Sequence, residues 1–207
     1  MKMILATHNR DKCKEMVLMF DELSINLLSL NDFPKIGEIV EDGKTLEENA
    51  LIKARTSYKL TSLPSLADDT GLEVDALNGA PGIFSARYAG DHCNYIDNVK
   101  KLLKNMENIK EESRFATFRT VVAYVDGNME LTTDGIVKGV ITKEMKGTEG
   151  FGYDSIFYVP NEQKTYAEMN IEHKNKISHR SKAILNMQKL LNAHLPNIFI
   201  NNMEDIA

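Results

Sequence analysis

Apolar residues along this chain follow two repeating patterns, which together predict an alternation of strands and helices. Apolar runs of about four to eight residues are typical of strands, whereas apolar residues three and four positions apart are typical of amphipathic helices. Strands are predicted at residues 3–6, 25–30, 65–68, 72–74, 114–125, 129–132, 136–142 and 156–159. Helices are predicted after residue 11 through Phe20, after Thr45, and over residues 94–106 and 177–193. The strand–helix–strand beginning favours an α/β fold.

Local signals define several boundaries between these elements. Thr45 and Glu48 fit a capping box, in which a hydroxyl and a carboxylate accept hydrogen bonds from amides at a helix start. The Asp-Gly pair at 126–127 is a strong hairpin signal, so the sheet is expected to be mixed. Residues 69–71 are expected to form a turn between two short strands, and residues 147–152 a glycine-bearing loop.

Length and composition fit a globular protein. The chain has 207 residues, of which 43% are hydrophobic and 27% charged, and this length suits one large domain or two small lobes. No apolar run approaches the length of a bilayer span, and the run at residues 3–6 is too short for the core of a signal peptide. We therefore expect a cytoplasmic protein with no membrane partner.

The formal net charge of −5 argues against a nucleic-acid polymer as partner, because a basic face drives such binding. A small anion is compatible with this charge, since a few local lysines bind it. Cys13 and Cys93 show neither CxxC nor zinc-type spacing. A disulfide between them remains open, although a reducing compartment disfavours it, and a packed thiol is the expected state of Cys13.

Residues 7–12 form a polar segment between a predicted strand and a predicted helix, a position typical of phosphate binding. Amides at a helix start attract phosphate, and Lys12 adds a mobile positive charge. The Asn9 side chain is suited to fix the turn. The segment is not a Walker P-loop, because GxxxxGK[ST] is absent. The alternative is an ordinary helix cap.

Acidic residues in two segments are suited to hold a metal ion. Asp68 and Asp69 follow a predicted strand, and alternation along the strand points their side chains apart. Glu41 is a further carboxylate, and Lys53 lies one helical turn from Asn49. Mg²⁺ prefers hard oxygen ligands and commonly takes one or two carboxylates together with substrate phosphates. The alternatives are a hydrated acidic turn and a solvated lysine.

Two further segments are suited to bind a base. Phe151 lies between glycines, which let backbone approach a ligand, and its ring face is suited to stacking. Asp154 follows in position to read base-edge donors. Ser178 is a plausible N-cap that leaves His179 and Arg180 at a helix start, where a bound anion or purine carbonyl would relieve their conflict with the helix dipole. The alternatives are a glycine-rich turn and a solvated basic helix start.

Taken together, these segments resemble the inosine triphosphate pyrophosphatase family, the XTP/dITP diphosphatases, from about residue 6 to residue 191. The most specific stretch reads ADDTGLEVDAL at residues 67–77, followed by GAPG at 79–82 and SARYAG at 85–90. Further matches in the same order are ENA at 48–50, IKA at 52–54, FGYD within 150–154, AEM at 167–169 and ISHR at 177–180.

The resemblance implies a fold, an assembly and a reaction. The implied fold is α/β, a two-lobed mixed β-sheet flanked by helices with the active-site cleft between the lobes, and residues 1–207 form one functional domain. The implied assembly is a homodimer. The implied reaction is Mg²⁺-dependent hydrolysis, with one or more ions per site, of dITP, ITP, XTP or dXTP to the monophosphate and pyrophosphate.

The resemblance also implies roles for individual residues. Asp69 is the expected catalytic base, and Glu41 and Asp69 are the expected metal ligands. Substrate binding is expected from Thr7, His8, Asn9, Arg10, Asp11, Lys12, Lys53, Thr70, Phe151, Gly152, Tyr153, Asp154, Lys174, His179 and Arg180. Within this set Phe151 is the stacking residue, Lys174 a phosphate or sugar contact, and His179 with Arg180 the readers of a 6-oxo group.

Three positions depart from the family pattern: Asp11, where glycine is common; Ser155, where proline is frequent; and His173, where glutamate is usual. None of them removes a chemical group that the reaction requires. Two rival functions are an enzyme that hydrolyses dUTP or modified pyrimidine nucleotides, and a non-catalytic nucleotide-binding protein. Adenine would leave donors aimed at a 6-oxo group unpaired, which is costly in a buried site.

Overall fold

The computed structural model describes residues 1–20 and 25–195, and the chain divides into two compact units. Unit 1 comprises Met1–Asp69, Thr120–Gly135 and the chain from Arg180 onward. Unit 2 comprises Thr70–Arg119 and Ile136–His179. The segment after Pro196, for which the sequence gives only weak signals, lies outside the described residues.

An eight-stranded mixed sheet carries the fold, which confirms the predicted α/β class. The strands are β1 (Lys2–Leu5), β2 (Asn26–Ser29), β3 (Ser65–Val74), β4 (Pro81–Gly82), β5 (Phe115–Val125), β6 (Glu130–Ile141), β7 (Phe157–Val159) and β8 (Lys164–Thr165). Their order is β2-β1-β3-β5-β6-β7-β8, with β4 paired to β3. β1 runs parallel to β2 and β3, whereas the β3–β4, β6–β7 and β7–β8 pairs are antiparallel.

Helices flank this sheet, and their N-termini follow the capping signals closely. They are α1 (Arg10–Phe20), α2 (Leu46–Thr61), α3 (Tyr95–Asn105), α4 (Ile171–Ile177) and α5 (His179–His194). The Thr45 hydroxyl accepts the Glu48 amide at 3.1 Å, as predicted. The Glu48 carboxylate accepts the amide of Lys44 at 2.6 Å and not that of Thr45, so only one of the two bonds of the predicted capping box forms. Among the described residues, no helix is long and apolar enough to cross a membrane.

The structure corrects the expected turn at residues 69–71. β3 is one strand that continues through Asp69, Thr70 and Gly71. Gly71 keeps extended backbone, since its neighbour Leu72 pairs with Gly82 of β4. The two strands predicted at 129–132 and 136–142 are likewise the single strand β6. In both places, pairing between strands overrides the local turn preference.

The predicted helix over residues 177–193 is also corrected. Ser178 has extended backbone, with φ −69° and ψ 159°, and separates α4 from α5. The apolar spacing did not separate them, because Ile177 fits the spacing of the following helix, whereas the predicted N-cap at Ser178 marks the observed break. The break leaves His179 as the first residue of α5.

Each unit has its own hydrophobic core. In unit 1, α1 and α5 pack against the sheet through buried residues that include Met3, Met16, Phe20, Val122, Ile184 and Met187. In unit 2, α3 packs on the sheet through buried residues that include Leu72, Val99, Leu102, Phe118, Phe157 and Tyr166. The amphipathic spacing predicted for the helices over 94–106 and 177–193 therefore identified faces that are buried.

The glycine loop at residues 147–152 is fixed against backbone of unit 2. The amides of Thr148 and Glu149 both donate to the carbonyl of Ala167 at 3.0 Å. Gly147 has a φ of +82°, and a Cβ placed on it would lie 2.1 Å from that same carbonyl oxygen. Only glycine fits at this position without movement of the loop.

We predict that Gly147→Ala destabilises the protein more than Gly152→Ala. Both positions have positive φ, so each alanine incurs about 1–2 kcal/mol of backbone strain. A Cβ on Gly152 meets nothing within 4 Å, whereas one on Gly147 collides with Ala167, and such overpacking costs about 1–3 kcal/mol more. Urea denaturation measures both free energies of unfolding, and equal losses would contradict the predicted collision.

Candidate functional site

The loop between β1 and α1 is ordered by its own polar side chains. The Thr7 hydroxyl accepts the amide of Asn9 at 3.1 Å. The Asn9 side chain in turn accepts the amides of Asp11 at 2.9 Å and Lys12 at 3.1 Å. Asn9 therefore caps α1 and occupies two of the amides that the sequence offered for phosphate. The His8 ring nitrogens lie 3.3 Å from the Asn31 side chain and 3.3 Å from a loop carbonyl.

Lys12 leads from this loop into a buried group of charges, here called the arginine cluster: Lys12, Glu15, Asp68 and Arg180. The Nζ of Lys12 lies 3.1 Å from Asp68 Oδ2, and Arg180 Nε donates to the same oxygen at 3.1 Å. Arg180 Nη1 donates to Glu15 Oε2. Glu15, Asp68 and Arg180 are each less than 5% exposed. This cluster belongs to unit 1 throughout.

The charges of the arginine cluster alter one another's proton affinity. Burial opposes ionisation of Asp68, but Lys12 and Arg180 outweigh it and hold the pKa of that carboxyl well below its usual range. Burial lowers the pKa of Lys12, and Asp68 opposes that shift. Sequence reasoning missed Glu15. Its signal is an acidic residue on the buried face of α1, three positions after Lys12 and next to Met16.

A second group in unit 1, the carboxylate–lysine cluster, consists of Glu41, Asn49, Lys53 and Asp69. Lys53 Nζ lies 2.7 Å from Glu41 Oε2 and 2.9 Å from Asp69 Oδ1. Asn49 donates to the other Asp69 oxygen at 3.3 Å and accepts the Gly43 amide at 2.9 Å. Asp69 pairs with Lys53, whereas its neighbour Asp68 pairs with Lys12 and Arg180. The two side chains thus have different partners, as the alternation of side chains along a strand predicts.

The carboxylate–lysine cluster contains two carboxylates, those of Glu41 and Asp69, that could contribute to a metal site. Burial lowers the pKa of Lys53, but Asp69 and Glu41 outweigh it and the net shift is upward. Burial raises the pKa of Glu41, partly offset by Lys53. Among the residues that the structure describes, no group of three or more His, Cys, Asp or Glu is placed to hold a metal. The carboxylates of Glu41 and Asp69 nevertheless both lie at the Lys53 ammonium. A pair of carboxylates fits Mg²⁺ when substrate phosphates and water complete the coordination shell of the metal.

In unit 2, Asp154 ties the glycine loop to α4. Its Oδ2 accepts the Phe151 amide at 2.9 Å and contacts Lys174 Nζ. A Cβ on Gly150 would lie 2.1 Å from this same oxygen, so that glycine is explained by Asp154 itself. Gly152, in contrast, has open space where its Cβ would be. Of the two glycines expected to admit a ligand, only Gly152 has such space.

Aromatic rings surround Lys174. Its Nζ lies 4.9 Å from the ring centroid of Phe151 and 5.4 Å from that of Tyr166. The Phe151 ring is 5.7 Å from Tyr95. Tyr153 lies deeper, with its hydroxyl donating to the Ser85 carbonyl at 2.9 Å, and burial raises its pKa. Phe151 and Lys174 are thus together, while Tyr153 supports them from the core.

His179 and Arg180 are adjacent in sequence but have different surroundings. His179 closes unit 2 and stacks on Phe118, with ring centroids 4.4 Å apart and planes 9° apart. Arg180 opens the last segment of unit 1 and belongs to the arginine cluster. Reading of a 6-oxo group by these two residues stays a prediction. Sequence reasoning missed Phe118, since its only signal was an inward position in a strand.

Three further predicted site residues, Arg10, Asp11 and Thr70, are not members of these clusters. Thr70 follows Asp69 on β3 and is half-buried, and Arg10 is exposed. Asp11 Oδ1 lies 3.8 Å from Lys14 Nζ. His173, which departs from the family pattern, has Nε2 2.8 Å from Glu162 Oε2.

The two cysteines take no part in these clusters. Cys13 and Cys93 are both free thiols. Burial raises the pKa of the Cys13 thiol, with Asp68 adding to the shift. A raised pKa favours the packed over the reactive state, because the thiolate is the nucleophile.

Comparisons with known proteins match nearly the whole chain. A family model described as the Ham1 family matches residues 3–190. The chain is 44% identical to the dITP/XTP pyrophosphatase of Desulforamulus reducens, over 93% of this chain and 96% of that protein. It is 45% identical to the dITP/XTP pyrophosphatase of Geobacter sulfurreducens, over 94% of this chain and 96% of that protein.

Solved structures agree with this match. The Staphylococcus aureus Ham1 protein superposes with a TM-score of 0.83 at 36% identity, covering 94% of this chain and 100% of that chain. A HAM1 protein from Coxiella burnetii superposes with a TM-score of 0.84 at 40% identity, covering 93% and 99%.

We predict that Arg180→Met lowers the free energy of unfolding by about 3–5 kcal/mol, because it removes the cation shared by the buried carboxylates of Glu15 and Asp68 and leaves Lys12 to compensate Asp68. Arg55→Met is the matched control. The Arg55 guanidinium also pairs with a glutamate, Glu130, at 2.6 Å, but that pair is exposed, so its loss costs about 1 kcal/mol or less. Urea denaturation of both variants makes the comparison, and similar small losses would show that the arginine cluster adds little stability.

Proposed function

The chain belongs to the Ham1 family, and from this premise we propose that it is a nucleoside triphosphate pyrophosphatase acting on non-standard purines. The substrates are dITP or ITP and XTP or dXTP, and the products are the monophosphate and pyrophosphate. Relatives 44% and 45% identical along almost their full length carry the name dITP/XTP pyrophosphatase, which supports this choice. Removal of such nucleotides from the pool is the corresponding role.

The carboxylate–lysine cluster is the observation that carries the proposal. The carboxylates of Glu41 and Asp69 both lie within 2.9 Å of Lys53 Nζ, and the half-buried Lys12 lies in the same unit. A triphosphate carries several negative charges that repel an attacking water. Lysines that are already desolvated neutralise such charge strongly, because little solvent screens them.

Magnesium is the metal that fits this donor set. Glu41 and Asp69 would hold one or more Mg²⁺ ions, which supply Lewis-acid polarisation of the phosphates and a favourable position for water. Lys53 lies between the two carboxylates and holds them together in the structure. The chain's own contribution is therefore a pair of carboxylates fixed in place before metal arrives.

Asp69 is the proposed general base. Lys53 and Asn49 each bond one of its two oxygens, which fixes the carboxylate orientation. Asp69 takes a proton as the water oxygen attacks phosphorus, the anhydride bond between the α- and β-phosphates breaks, and pyrophosphate leaves with the bonding electrons. Lys12 and Lys53 stabilise the charge that grows on the departing group.

Unit 2 supplies the side chains that bind the purine nucleobase of the substrate. Phe151 offers a ring face for stacking, and Lys174 is poised beside it with Asp154. His179 offers a ring N–H to a purine 6-oxo group, which an adenine 6-amino group would leave unpaired. We keep Arg180 as a second reader in the proposal. Its Nε and Nη1 bond Asp68 and Glu15 in the arginine cluster.

We propose two further properties that follow from the family resemblance and the substrate. The enzyme acts as a homodimer, which light scattering coupled to gel filtration would detect as twice the chain mass. It acts in the cytoplasm, where free nucleoside triphosphates are found. Nucleic-acid polymers are not among its partners, consistent with the net charge of −5.

We predict that dITP and XTP release pyrophosphate much faster than dGTP and dUTP, and only with Mg²⁺ present. Pyrophosphate release is measured for all four nucleotides with the metal and with EDTA. A preference for dUTP would favour a pyrimidine enzyme instead. Binding of dITP without any turnover would favour a non-catalytic protein, and unchanged rates in EDTA would remove the proposed metal.

We predict that Asp69→Asn lowers kcat for dITP by about 10²–10⁴-fold, the usual contribution of a general base, while dITP still binds. Asp75→Asn is the control, since it makes the same change at an exposed position beyond β3. Single-turnover kinetics measure the chemical step, and calorimetry measures binding. Unchanged kcat in Asp69→Asn would refute its role as the base.

A further inference from the structure

Four buried rings in unit 2 form what we call the aromatic cluster: Phe118, Phe157, Tyr166 and His179. Phe118 projects from β5, is 5% exposed, and stacks face to face on the His179 imidazole at 4.4 Å. The angle between these two planes is only 9°. Aromatic pairs favour offset stacking at about this separation.

Phe118 also contacts the other two rings of the cluster. Phe157 meets it edge to face, at 4.6 Å and 61°. Tyr166 lies 6.0 Å from Phe118 and 5.8 Å from His179. The imidazole is thus packed against Phe118 and Tyr166, and the dense packing of a protein interior limits how far its plane can rotate.

The plane of the imidazole decides where its N–H groups point. Ring N–H bonds lie in the ring plane, and a hydrogen bond weakens steeply as its angle departs from linear. Phe118 offers no hydrogen bond of its own, so it acts on a ligand only through the ring that it holds. Tyr166 also lies 5.4 Å from Lys174 Nζ, so the cluster extends to a second predicted ligand group.

We infer that Phe118 is a positioning residue that fixes the plane of His179 and so sets the selectivity for 6-oxo over 6-amino purines. This inference rests on the proposed function in one respect, the assignment of the purine 6-position to His179. The competing account is that Phe118 only fills the core. That account predicts lost stability without changed selectivity.

The test compares Phe118→Leu with Phe157→Leu. Both changes remove a buried phenyl ring from the same cluster, and the ring contacts of Phe157 are with Phe118 and Tyr166. The readout is the ratio of kcat/KM for dITP to that for dATP. We expect the ratio to fall about tenfold in Phe118→Leu, as small misplacement of a positioned group allows, and to stay within about twofold in Phe157→Leu.

His179→Asn separates failure of the inference from failure of the proposed function. If His179→Asn leaves the ratio unchanged, the assignment of the purine 6-position to His179 is wrong. If His179→Asn lowers the ratio but Phe118→Leu does not, the inference alone is overturned. The inference is also overturned if Phe118→Leu and Phe157→Leu lower the dITP-to-dATP ratio of kcat/KM equally. The double variant Phe118→Leu/His179→Asn should show no further loss of selectivity beyond His179→Asn.

A spectroscopic readout keeps the test independent of turnover. Stacking on a phenyl ring should shift the His179 ring protons upfield in the NMR spectrum of the enzyme without substrate, with assignment by comparison with His179→Asn. These signals should move downfield in Phe118→Leu. If that variant does not fold, Phe118→Tyr retains the stacked ring and should retain both the shift and the selectivity. Loss of both in a folded Phe118→Tyr would contradict the inference.

Discussion

Two neighbouring buried carboxylates on β3 must each be compensated by a cation from another part of unit 1. Asp68 and Asp69 are 1% and 9% exposed, and a buried charge is tolerated only when it is paired. Asp68 is paired with Lys12 and Arg180, and Asp69 with Lys53. These pairings require α1, α2 and α5 to present cations toward β3. The helices of unit 1 therefore serve charge compensation as much as they serve the hydrophobic core.

The two units of the chain contain different kinds of polar and aromatic side chains. Unit 1 holds the lysines, the carboxylates and the arginine, which suit phosphate and metal. Unit 2 holds the ring of Phe151, the Asp154–Lys174 pair and the stacked imidazole, which suit a base. Each set is supported by its own core, so stability and chemistry are organised unit by unit.

Sequence patterns predicted much of this because several signals are local. The cap at Thr45, the apolar spacing of α3 and the Asp-Gly hairpin depend on neighbouring residues alone. The continuity of β3 through Gly71 depends on pairing with β4, which no local pattern shows. Glu15 could not be assigned a partner either, since Arg180 lies 165 residues away along the chain. The resemblance to a family supplied the predicted site residues. The physical chemistry of each segment alone fitted an ordinary helix cap, turn or solvated side chain as well.

The peptide bond between His179 and Arg180 has an evolutionary consequence. The extended Ser178 ends α4 and sets where α5 begins, so a substitution that shifts this start displaces an imidazole and a guanidinium together. On the proposed function, a backbone shift here that alters nucleobase recognition by His179 would also disturb the buried charges around Arg180. Adaptation to new substrates should therefore proceed more freely through the glycine loop around Gly152, where a side chain can be added without displacing an ion pair.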